Sequence, residues 1–445
     1  MKKIYSLTFS ALLLACNLKA QTPCATGRYA SDTFTNVTTT SNVVFGSNIT
    51  ASGTTQSLTM DIYQPTGDIE TKRPLIVWAH GGSFIGGTKT DADMVALSQA
   101  FTKKGYVCAS INYRLGLTPF DSVGAVKAVL RAVQDMKASV RFFYKDKLTA
   151  DTYKIDTNNI FIGGSSAGAI TALHMAYLDK SCEVNYYITP TNLVTLGGME
   201  GYSGNQCYSS KIKGVINLCG ALGRYGWIQP GDVPFVSLHG TIDGTVKYNR
   251  GFAAPLGIQL ILLDGSRMLN AQANAIGVNN PFYTWYGKDH VPYAGTTASN
   301  IAYMDTTVKF IRDFLISNLG CTNAPLINPN TPSQTANLYA YTTCNTNVLM
   351  TCGSPGVVSI NEITDHSIIS SVYPNPSDNE MMIEFVNSNT THQIELFDVT
   401  GKLISYNETE QANFMIKKNA ISSGLYFLKI TTKTGNTTTQ KIIFN

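Results

Sequence analysis

The chain has 445 residues, which is enough for two or three domains. Charged residues make up only 14% of it, and Thr, Asn, Ser, Gly and Tyr fill the deficit, a composition typical of exported bacterial proteins. The net charge is +4 and no basic run exceeds two residues, which argues against nucleic acid as a partner.

Residues 1–20 have the pattern of a secretory signal peptide. Two lysines precede the apolar run Ile4–Cys16, and Leu18-Lys19-Ala20 provides a cleavage site before Gln21. The alternative is lipoprotein processing at Leu13-Leu14-Ala15-Cys16, which would leave a lipidated Cys16. Beyond residue 20 no apolar stretch approaches 18 residues, so we expect no membrane span.

Eight cysteines remain after residue 20, and an even number in an exported chain favours disulfides over metal ligation. They are Cys24, Cys108, Cys182, Cys207, Cys219, Cys321, Cys344 and Cys352. We predict the pairs Cys182–Cys207 and Cys344–Cys352. Cys108 and Cys219 lie in apolar strand-like runs, so we expect free, buried thiols there.

The first 300 residues of the exported chain predict an α/β fold. Residues 21 to about 55 have the composition of an antiparallel edge region, and apolar strands then alternate with helices. The predicted helices are Asp93–Lys103 and Val123–Tyr144, and the predicted strands are Pro74–Ala79, Tyr106–Ile111, Ile160–Ile162, Gly214–Leu218 and Val233–Leu238. This alternation indicates a mostly parallel sheet flanked by helices, with ligand sites at the carboxyl ends of its strands.

The segment Gly164-Ser165-Ser166-Ala167-Gly168 fits the G-x-S-x-G nucleophile elbow, a strained strand-to-helix turn. A strand-like run precedes it and Ala169–Ala176 follows with helical character. Ser166 is therefore the predicted nucleophile.

A serine nucleophile needs a base and an orienting carboxylate, which should follow it in the order acid, then histidine. Asp243 lies just beyond a predicted strand, and His290 is the histidine downstream of it that can serve as the base. The alternatives are a turn aspartate and a surface histidine. Asp289 is a weaker candidate for the acid, because adjacency to His290 places it badly for orienting the ring.

The segment His80-Gly81-Gly82-Ser83-Phe84 follows a predicted strand and is suited to an oxyanion hole. We expect the Gly82 and Ala167 amides to donate there, with Gly81 or Ser83 as a third donor. His80 is interpreted as fixing the loop. Trp227 is a candidate for lining the acyl pocket, and core packing is about as good an explanation of it.

Around residue 320 the composition changes. Residues 321–370 begin with a Pro/Asn/Thr-rich stretch and are predicted to be a linker. Residues 371–445 contain alternating runs separated by turn residues at regular intervals, which predict a small antiparallel β-sandwich. The predicted strands are Met381–Phe385, Gln393–Phe397, Phe414–Lys417, Leu425–Ile430 and Gln440–Phe444.

Taken together, the motifs at residues 80–84, 112–114 (Asn-Tyr-Arg), 164–168 and 239–243, with His290, resemble an α/β-hydrolase of the carboxylesterase/lipase type. The resemblance covers residues 55–317, and the catalytic domain is assigned to residues 21–320. Ser83 stands where the hormone-sensitive-lipase pattern has a third glycine, so this chain departs from that pattern at one position of the oxyanion loop.

The C-terminal segment resembles the sorting domain of the type IX secretion pathway of Bacteroidetes. The resemblance rests on Val372-Tyr373-Pro374-Asn375-Pro376-Ser377, Gly424–Lys429 and the terminal Lys441–Asn445. It implies a partnership with the secretion machinery, export across the outer membrane, removal of the tail, and release or surface attachment.

We therefore predict a secreted serine carboxylesterase that needs no cofactor and no metal. The alternatives are a serine peptidase on the same fold and a non-catalytic surface binding or adhesion protein. The excursions 180–210 and 247–280 are polar and show no helical lid, which favours short acyl chains or esters linked to polysaccharide.

Overall fold

The computed structural model describes residues 23–321, 327–330, 338–344, 368–386, 390–398, 402–418, 421–433 and 437–445, and the predicted signal peptide lies outside them. The chain divides into two compact units, Met1–Leu349 and Met350–Asn445. Among the described residues, no helix is both long and apolar enough to cross a membrane.

The first unit is built on an eight-stranded sheet with the strand order β1-β2-β4-β3-β5-β6-β8-β11. Strands β1 and β2 form the antiparallel edge, and every pairing from β4 to β11 is parallel. The strands are β1 Val37–Ile49, β2 Thr55–Pro65, β3 Arg73–Ala79, β4 Val107–Ile111, β5 Ile155–Ser165, β6 Gly214–Leu218, β8 Phe235–Gly240 and β11 Phe282–Trp285. The predicted fold class and its antiparallel edge are confirmed.

Helices cover both faces of this sheet. Along β3, Val77 packs with α2 and α3 on one face while Trp78 packs with α1 and α7 on the other, because successive strand side chains point to opposite faces. The helices are α1 Ala92–Lys103, α2 Ser122–Leu148, α3 Ala167–Tyr177, α4 Ser181–Asn185, α5 Pro190–Thr195, α6 Ser266–Ile276 and α7 Ala298–Asn318. Buried on both faces, the parallel strands read in sequence as continuous apolar runs.

The polar excursion at residues 247–280 contains regular structure. A second, three-stranded sheet has the order β7-β10-β9 and is followed by α6. Its strands are β7 Ala221–Leu222, β9 Arg250–Ala253 and β10 Ile261–Gly265. Short 3₁₀ turns occupy Pro23–Thr26, Tyr225–Trp227 and Pro255–Gly257.

The disulfides differ from the predicted pairs. Cys24 is bonded to Cys321 and Cys182 to Cys344, so the predictions Cys182–Cys207 and Cys344–Cys352 are wrong. The fold brings together cysteines 297 and 162 residues apart, whereas the predictions assumed partners close in sequence. Cys108 and Cys219 are buried and unpaired, as expected. Cys352 lies outside the described residues.

Two described pieces of the predicted linker belong to the first unit. Asn330 exchanges hydrogen bonds with the backbone of Thr284 in β11. Tyr339 donates its hydroxyl to Asp264 at 2.6 Å, and Cys344 is held by its disulfide. Within the predicted linker, the described residues 327–330 and 338–344 are therefore attached to the first unit.

The second unit is a small antiparallel β-sandwich, as predicted. One sheet has the order β12-β13-β16 and the other β15-β14-β17-β18, and their inner faces share one apolar core. The strands are β12 Ile369–Tyr373, β13 Glu380–Phe385, β14 His392–Asp398, β15 Leu403–Thr409, β16 Asn413–Lys417, β17 Gly424–Thr432 and β18 Thr437–Phe444.

Glu183, on α4, is a buried carboxyl group that makes stability depend on pH. One of its oxygens accepts the Lys180 N–H at 3.2 Å, and the other is buried with no partner in the described part of the chain. Burial raises the pKa of Glu183 to about 7. The neutral carboxyl stabilises the fold fully below about pH 4.5, and that contribution is lost as the pH rises through about 7.

We expect Glu183→Gln to stabilise the first unit more at pH 8 than at pH 5. The variant should raise the free energy of unfolding by about 2 kcal/mol more at pH 8, which appears as a larger increase in the thermal midpoint. Calorimetry at both pH values measures this. Glu200→Gln is the matched control: burial opposes ionisation of Glu200, but Lys137 and Arg141 lower its pKa, so its neutralisation should lower the midpoint at pH 8. An equal effect of Glu183→Gln at both pH values would contradict the raised pKa of Glu183.

Candidate active site

The Ser166 segment forms a sharp turn between β5 and α3. Ser166 has φ 55° and ψ −115°, a strained backbone for a residue with a side chain. Glycine is required on both sides, because a Cβ at Gly164 or Gly168 would overlap the carbonyl oxygen of Ala79. The turn is held further by the Ser166 N–H, which donates to the carbonyl of Leu218 at 2.9 Å.

The structure brings the predicted nucleophile, base and acid into one hydrogen-bonded row. Ser166 Oγ lies 2.7 Å from His290 Nε2, and His290 Nδ1 lies 2.6 Å from Asp243 Oδ2. These residues are 124 and 47 positions apart in the chain. Both heavy-atom distances suit proton transfer from the serine hydroxyl to a ring whose other nitrogen is fixed by a carboxylate.

Asp243 is buried, and both of its carboxylate oxygens have hydrogen-bond partners. Its Oδ1 accepts the backbone N–H groups of Thr245 at 2.9 Å and Val246 at 2.8 Å, and its Oδ2 faces both His290 and His239. Burial alone would raise the pKa of Asp243, but the hydrogen bonds from His239 and His290 hold it well below its usual range. The carboxylate therefore stays ionised across the neutral range.

Asp289 contacts backbone instead of the imidazole ring. Its Oδ1 accepts the N–H of His290 at 2.7 Å and that of Gly244 at 2.8 Å. Among the described residues, Asp243 is the carboxylate hydrogen-bonded to the His290 ring.

A buried polar chain extends beyond Asp243 into the core. His239 Nε2 lies 3.1 Å from Asp243 Oδ2 and 2.9 Å from the Val246 carbonyl, so this nitrogen carries the proton. His239 Nδ1 then accepts from the Ser266 hydroxyl at 2.7 Å, and Asn217 donates to that hydroxyl at 2.9 Å. The sequence analysis included His239 in the motif 239–243 but missed Ser266 and Asn217, for which no motif gives a signal.

We expect His239→Phe to lower kcat by about ten- to a hundredfold with little change in KM, since it removes a hydrogen bond to a charged group. Phenylalanine keeps the edge-to-face packing against Tyr248, whose ring centroid lies 5.7 Å away. Glutamine at this position can still donate to Asp243 and should recover part of the activity. Ester hydrolysis by the folded fraction measures this, and an unchanged kcat with a lower melting temperature would indicate a purely structural role.

The predicted oxyanion loop lies beside the serine turn. Gly81 packs against Ser165 and Ser166, and the left-handed backbone at Gly82 (φ 103°) and Ser83 (φ 56°) folds the loop back on itself. Among the described residues, the N–H groups of Gly82, Ser83 and Ala167 donate to no protein acceptor. These amides are therefore available to a ligand.

His80 stabilises the conformation of this loop. Its Nδ1–H donates to the Gly81 carbonyl at 2.7 Å, and its ring stacks on Tyr113, whose hydroxyl donates to the His80 carbonyl at 2.9 Å. Burial lowers the pKa of His80, which favours the neutral ring. These contacts match the interpretation that His80 fixes the loop.

An apolar cleft opens onto Ser166. Its walls come from the predicted oxyanion loop, α2, α3, α4 and the second sheet. Trp227 lines it, as do Phe84, Leu130, Ile170 and Leu263. His174 also lines it, and burial lowers the pKa of His174 to about 4, so this ring is neutral. The cleft therefore offers a ligand almost entirely hydrocarbon walls.

Among the described residues, Cys219 also lies close to the hydrogen-bonded row of Ser166, His290 and Asp243. The potential ligand atoms of Cys219, Asp243 and His290 lie within 4.8 Å of one another. Both ring nitrogens of His290 already have hydrogen-bond partners, Nδ1 in Asp243 and Nε2 in Ser166. This arrangement favours proton transfer over metal ligation.

Each of the two units contains a segment that matches a known protein family. Residues 60–253 match the BD-FAE family, and residues 371–445 match the secretion system C-terminal sorting domain. The first unit therefore has an α/β-hydrolase fold, and the second contains the segment that matches a sorting domain. That tail marks proteins that the type IX machinery exports to the cell surface or beyond, so the chain is an exported protein.

Among curated proteins, the α/β-hydrolase segment is similar to gut esterase 1 of Caenorhabditis briggsae (32% identity over 113 residues, 25% of this chain and 19% of the relative). It is also similar to carboxylesterase 3B of Mus musculus (35% identity over 118 residues, 25% and 19%). The aligned part of this chain spans only about a fifth of these relatives. Among solved structures, esterase 2 of Thermogutta terrifontis gives a TM-score of 0.47 at 18% identity, covering 64% of this chain and 96% of that one.

Proposed function

We propose that the protein is a secreted serine hydrolase of carboxylic esters. The observation that carries the proposal is the row Ser166–His290–Asp243, with donor–acceptor distances of 2.7 and 2.6 Å, at the mouth of an apolar cleft. A nucleophile, a base and an orienting carboxylate in this order constitute the machinery of acyl transfer.

In the proposed reaction, Ser166 Oγ attacks the ester carbonyl carbon while its proton passes to His290 Nε2. The carbonyl oxygen becomes an oxyanion, which the free amides of Gly82, Ser83 and Ala167 are suited to accept. His290 then gives the proton to the departing alkoxide, leaving an acyl-serine. Water repeats the sequence, and the carboxylic acid leaves with Ser166 restored.

The cleft supports an apolar acyl group more than a sugar. Its walls give a hydrocarbon chain or ring close contact but offer few hydrogen-bond partners for hydroxyl groups. The prediction of short-chain or polysaccharide-linked ester substrates therefore stands with one refinement. The acyl part would occupy the cleft, and a polysaccharide part would have to lie outside it.

Hydrolysis of p-nitrophenyl esters from acetyl to palmitoyl tests the proposal, together with labelling by a fluorophosphonate probe. We expect hydrolysis at micromolar protein and one probe adduct, located by mass spectrometry on the peptide that contains Ser166. A folded protein that cleaves none of the esters and takes up no probe would contradict it and favour a non-catalytic binding protein.

A further inference from the structure

The segment 286–297, named here the His290 loop, joins β11 to α7 and carries the predicted base. Its hydrogen bonds fix the base relative to the acid. Asp289 accepts the N–H of Gly244, the residue that follows Asp243, at 2.8 Å, and the His290 ring itself is bonded to the Asp243 carboxylate. A base must also be held at a fixed distance from the nucleophile, which lies on a different segment.

Among the described residues, two hydrogen bonds join the His290 loop to the serine turn. One is the 2.7 Å bond between Ser166 Oγ and His290 Nε2. The other joins the hydroxyls of Ser165 and Tyr293, which lie 2.6 Å apart although the residues are 128 positions apart in the chain. Ser165 directly precedes the nucleophile and Tyr293 follows the base by three residues, so both bonds connect the same two segments.

The Ser165–Tyr293 bond lies in a rigid environment. Tyr293 is 1% exposed and Ser165 is 2% exposed, and the Tyr293 ring packs in the apolar core on the sheet face that α1 and α7 cover. Burial raises the pKa of Tyr293 well above its usual range, so the phenol stays protonated. Both partners are therefore neutral hydroxyl groups, and neither loses its proton in the working range of the enzyme.

The two bonds have different fates in the proposed reaction. The Ser166–His290 bond needs the serine hydroxyl, and that hydroxyl no longer exists once Ser166 carries the acyl group. His290 must then hold and activate a water molecule without its bond to the serine. The Ser165–Tyr293 bond takes no part in the chemistry. In the described part of the chain, it is the hydrogen bond between the two segments that persists in the acyl-enzyme.

We propose that Tyr293 is a positioning residue for deacylation: bonded to Ser165, it keeps the His290 loop at a fixed distance from the acylated serine. In this step water gives a proton to His290 Nε2 and its oxygen bonds to the acyl carbon. The bond from that carbon to Ser166 Oγ then breaks, and the proton passes from His290 to Oγ. This inference rests on the proposed esterase function of Ser166.

Tyr293→Phe tests the inference, because it removes the hydroxyl and keeps the ring in the core. The reagent p-nitrophenyl N-methylcarbamate separates the two steps, since the carbamoyl-serine forms with release of p-nitrophenol and then hydrolyses slowly. We expect recovery of activity from the carbamoyl-enzyme to slow by about fivefold, the value of one hydrogen bond. Release of p-nitrophenol in the first step should stay within about twofold of wild type, because the Ser166–His290 bond is then intact.

Two further variants identify the bond as the cause. Ser165→Ala removes the same bond from the other side and should slow recovery equally, and the double variant should be no slower than either single one. Tyr177→Phe is the matched control. The Tyr177 hydroxyl donates to the Val233 carbonyl at 2.9 Å, at the opposite end of α3 from Ser166, and the residue is 1% exposed. It should lower the melting temperature and leave recovery at the wild-type rate.

Three outcomes would overturn the inference: recovery at the wild-type rate in Tyr293→Phe, equal slowing of both steps, or losses that multiply in the double variant. In each case a wild type that is carbamoylated and recovers leaves the esterase function standing. A folded wild type that releases no p-nitrophenol from the carbamate and hydrolyses no ester would instead refute the proposed function itself.

Discussion

Ser166→Ala is expected to lower kcat for p-nitrophenyl butyrate by about 10⁵- to 10⁶-fold, the loss typical of removing the serine from such a unit. The hydroxyl is the group that forms the acyl bond, and the free amides beside it cannot replace a nucleophile. Alanine fits the site, because among the described residues the serine hydroxyl is hydrogen-bonded to His290 alone. Steady-state hydrolysis measures the effect.

Ser165→Ala is the matched control, since Ser165 adjoins the nucleophile and its hydroxyl contacts Tyr293 at 2.6 Å on the other side of the turn. We expect it to lose less than about tenfold, the value of one hydrogen bond. Comparable losses in the two variants would assign the effect to disruption of the turn and would contradict the role of Ser166.

Asp243→Asn is expected to lower kcat by about 10⁴-fold. Two backbone N–H groups, from Thr245 and Val246, require an acceptor at Oδ1, so the amide oxygen of asparagine must lie there. Its NH₂ group then faces His290 Nδ1, which can no longer donate its proton in that direction. The ring is driven to the opposite tautomer, with Nε2 protonated and unable to act as a base.

Asp289→Asn provides the comparison for that variant. Asp289 contacts only backbone N–H groups among the described residues, and an asparagine oxygen can accept the same bonds. We expect its activity to remain within about tenfold of wild type. If Asp289→Asn were the more damaging change, Asp289 and not Asp243 would be the orienting acid. The pH–rate profile of both variants distinguishes lost orientation from lost folding.

The fold was largely predictable because its signals are local. Strands such as β3 and β6 are buried on both faces and therefore appear as apolar runs. The elements at 247–280 escaped prediction because β9 is only partly buried and lacks such a run. In the second unit β15 was missed for the same reason, since most of its residues are exposed.

The candidate site was predictable to the extent that chemistry leaves a motif. The serine turn, Asp243 and His290 stand out by residue type and order, and the structure brings them together, while their catalytic roles remain proposals. Ser266 and Asn217 could not be found, because a buried serine or asparagine has no distinguishing neighbours in sequence. The disulfides failed for a related reason: pairing depends on which distant segments the fold brings together.

The bond between Cys182 and Cys344 bears on maturation. A peptidase that removes the sorting tail must cut after Cys344 to separate the two units. A cut nearer the amino end of the chain would leave the tail covalently attached through the disulfide until a reductant opened it. Residues 338–344, although outside the matched segment 60–253, would thus stay with the first unit in such a cleavage.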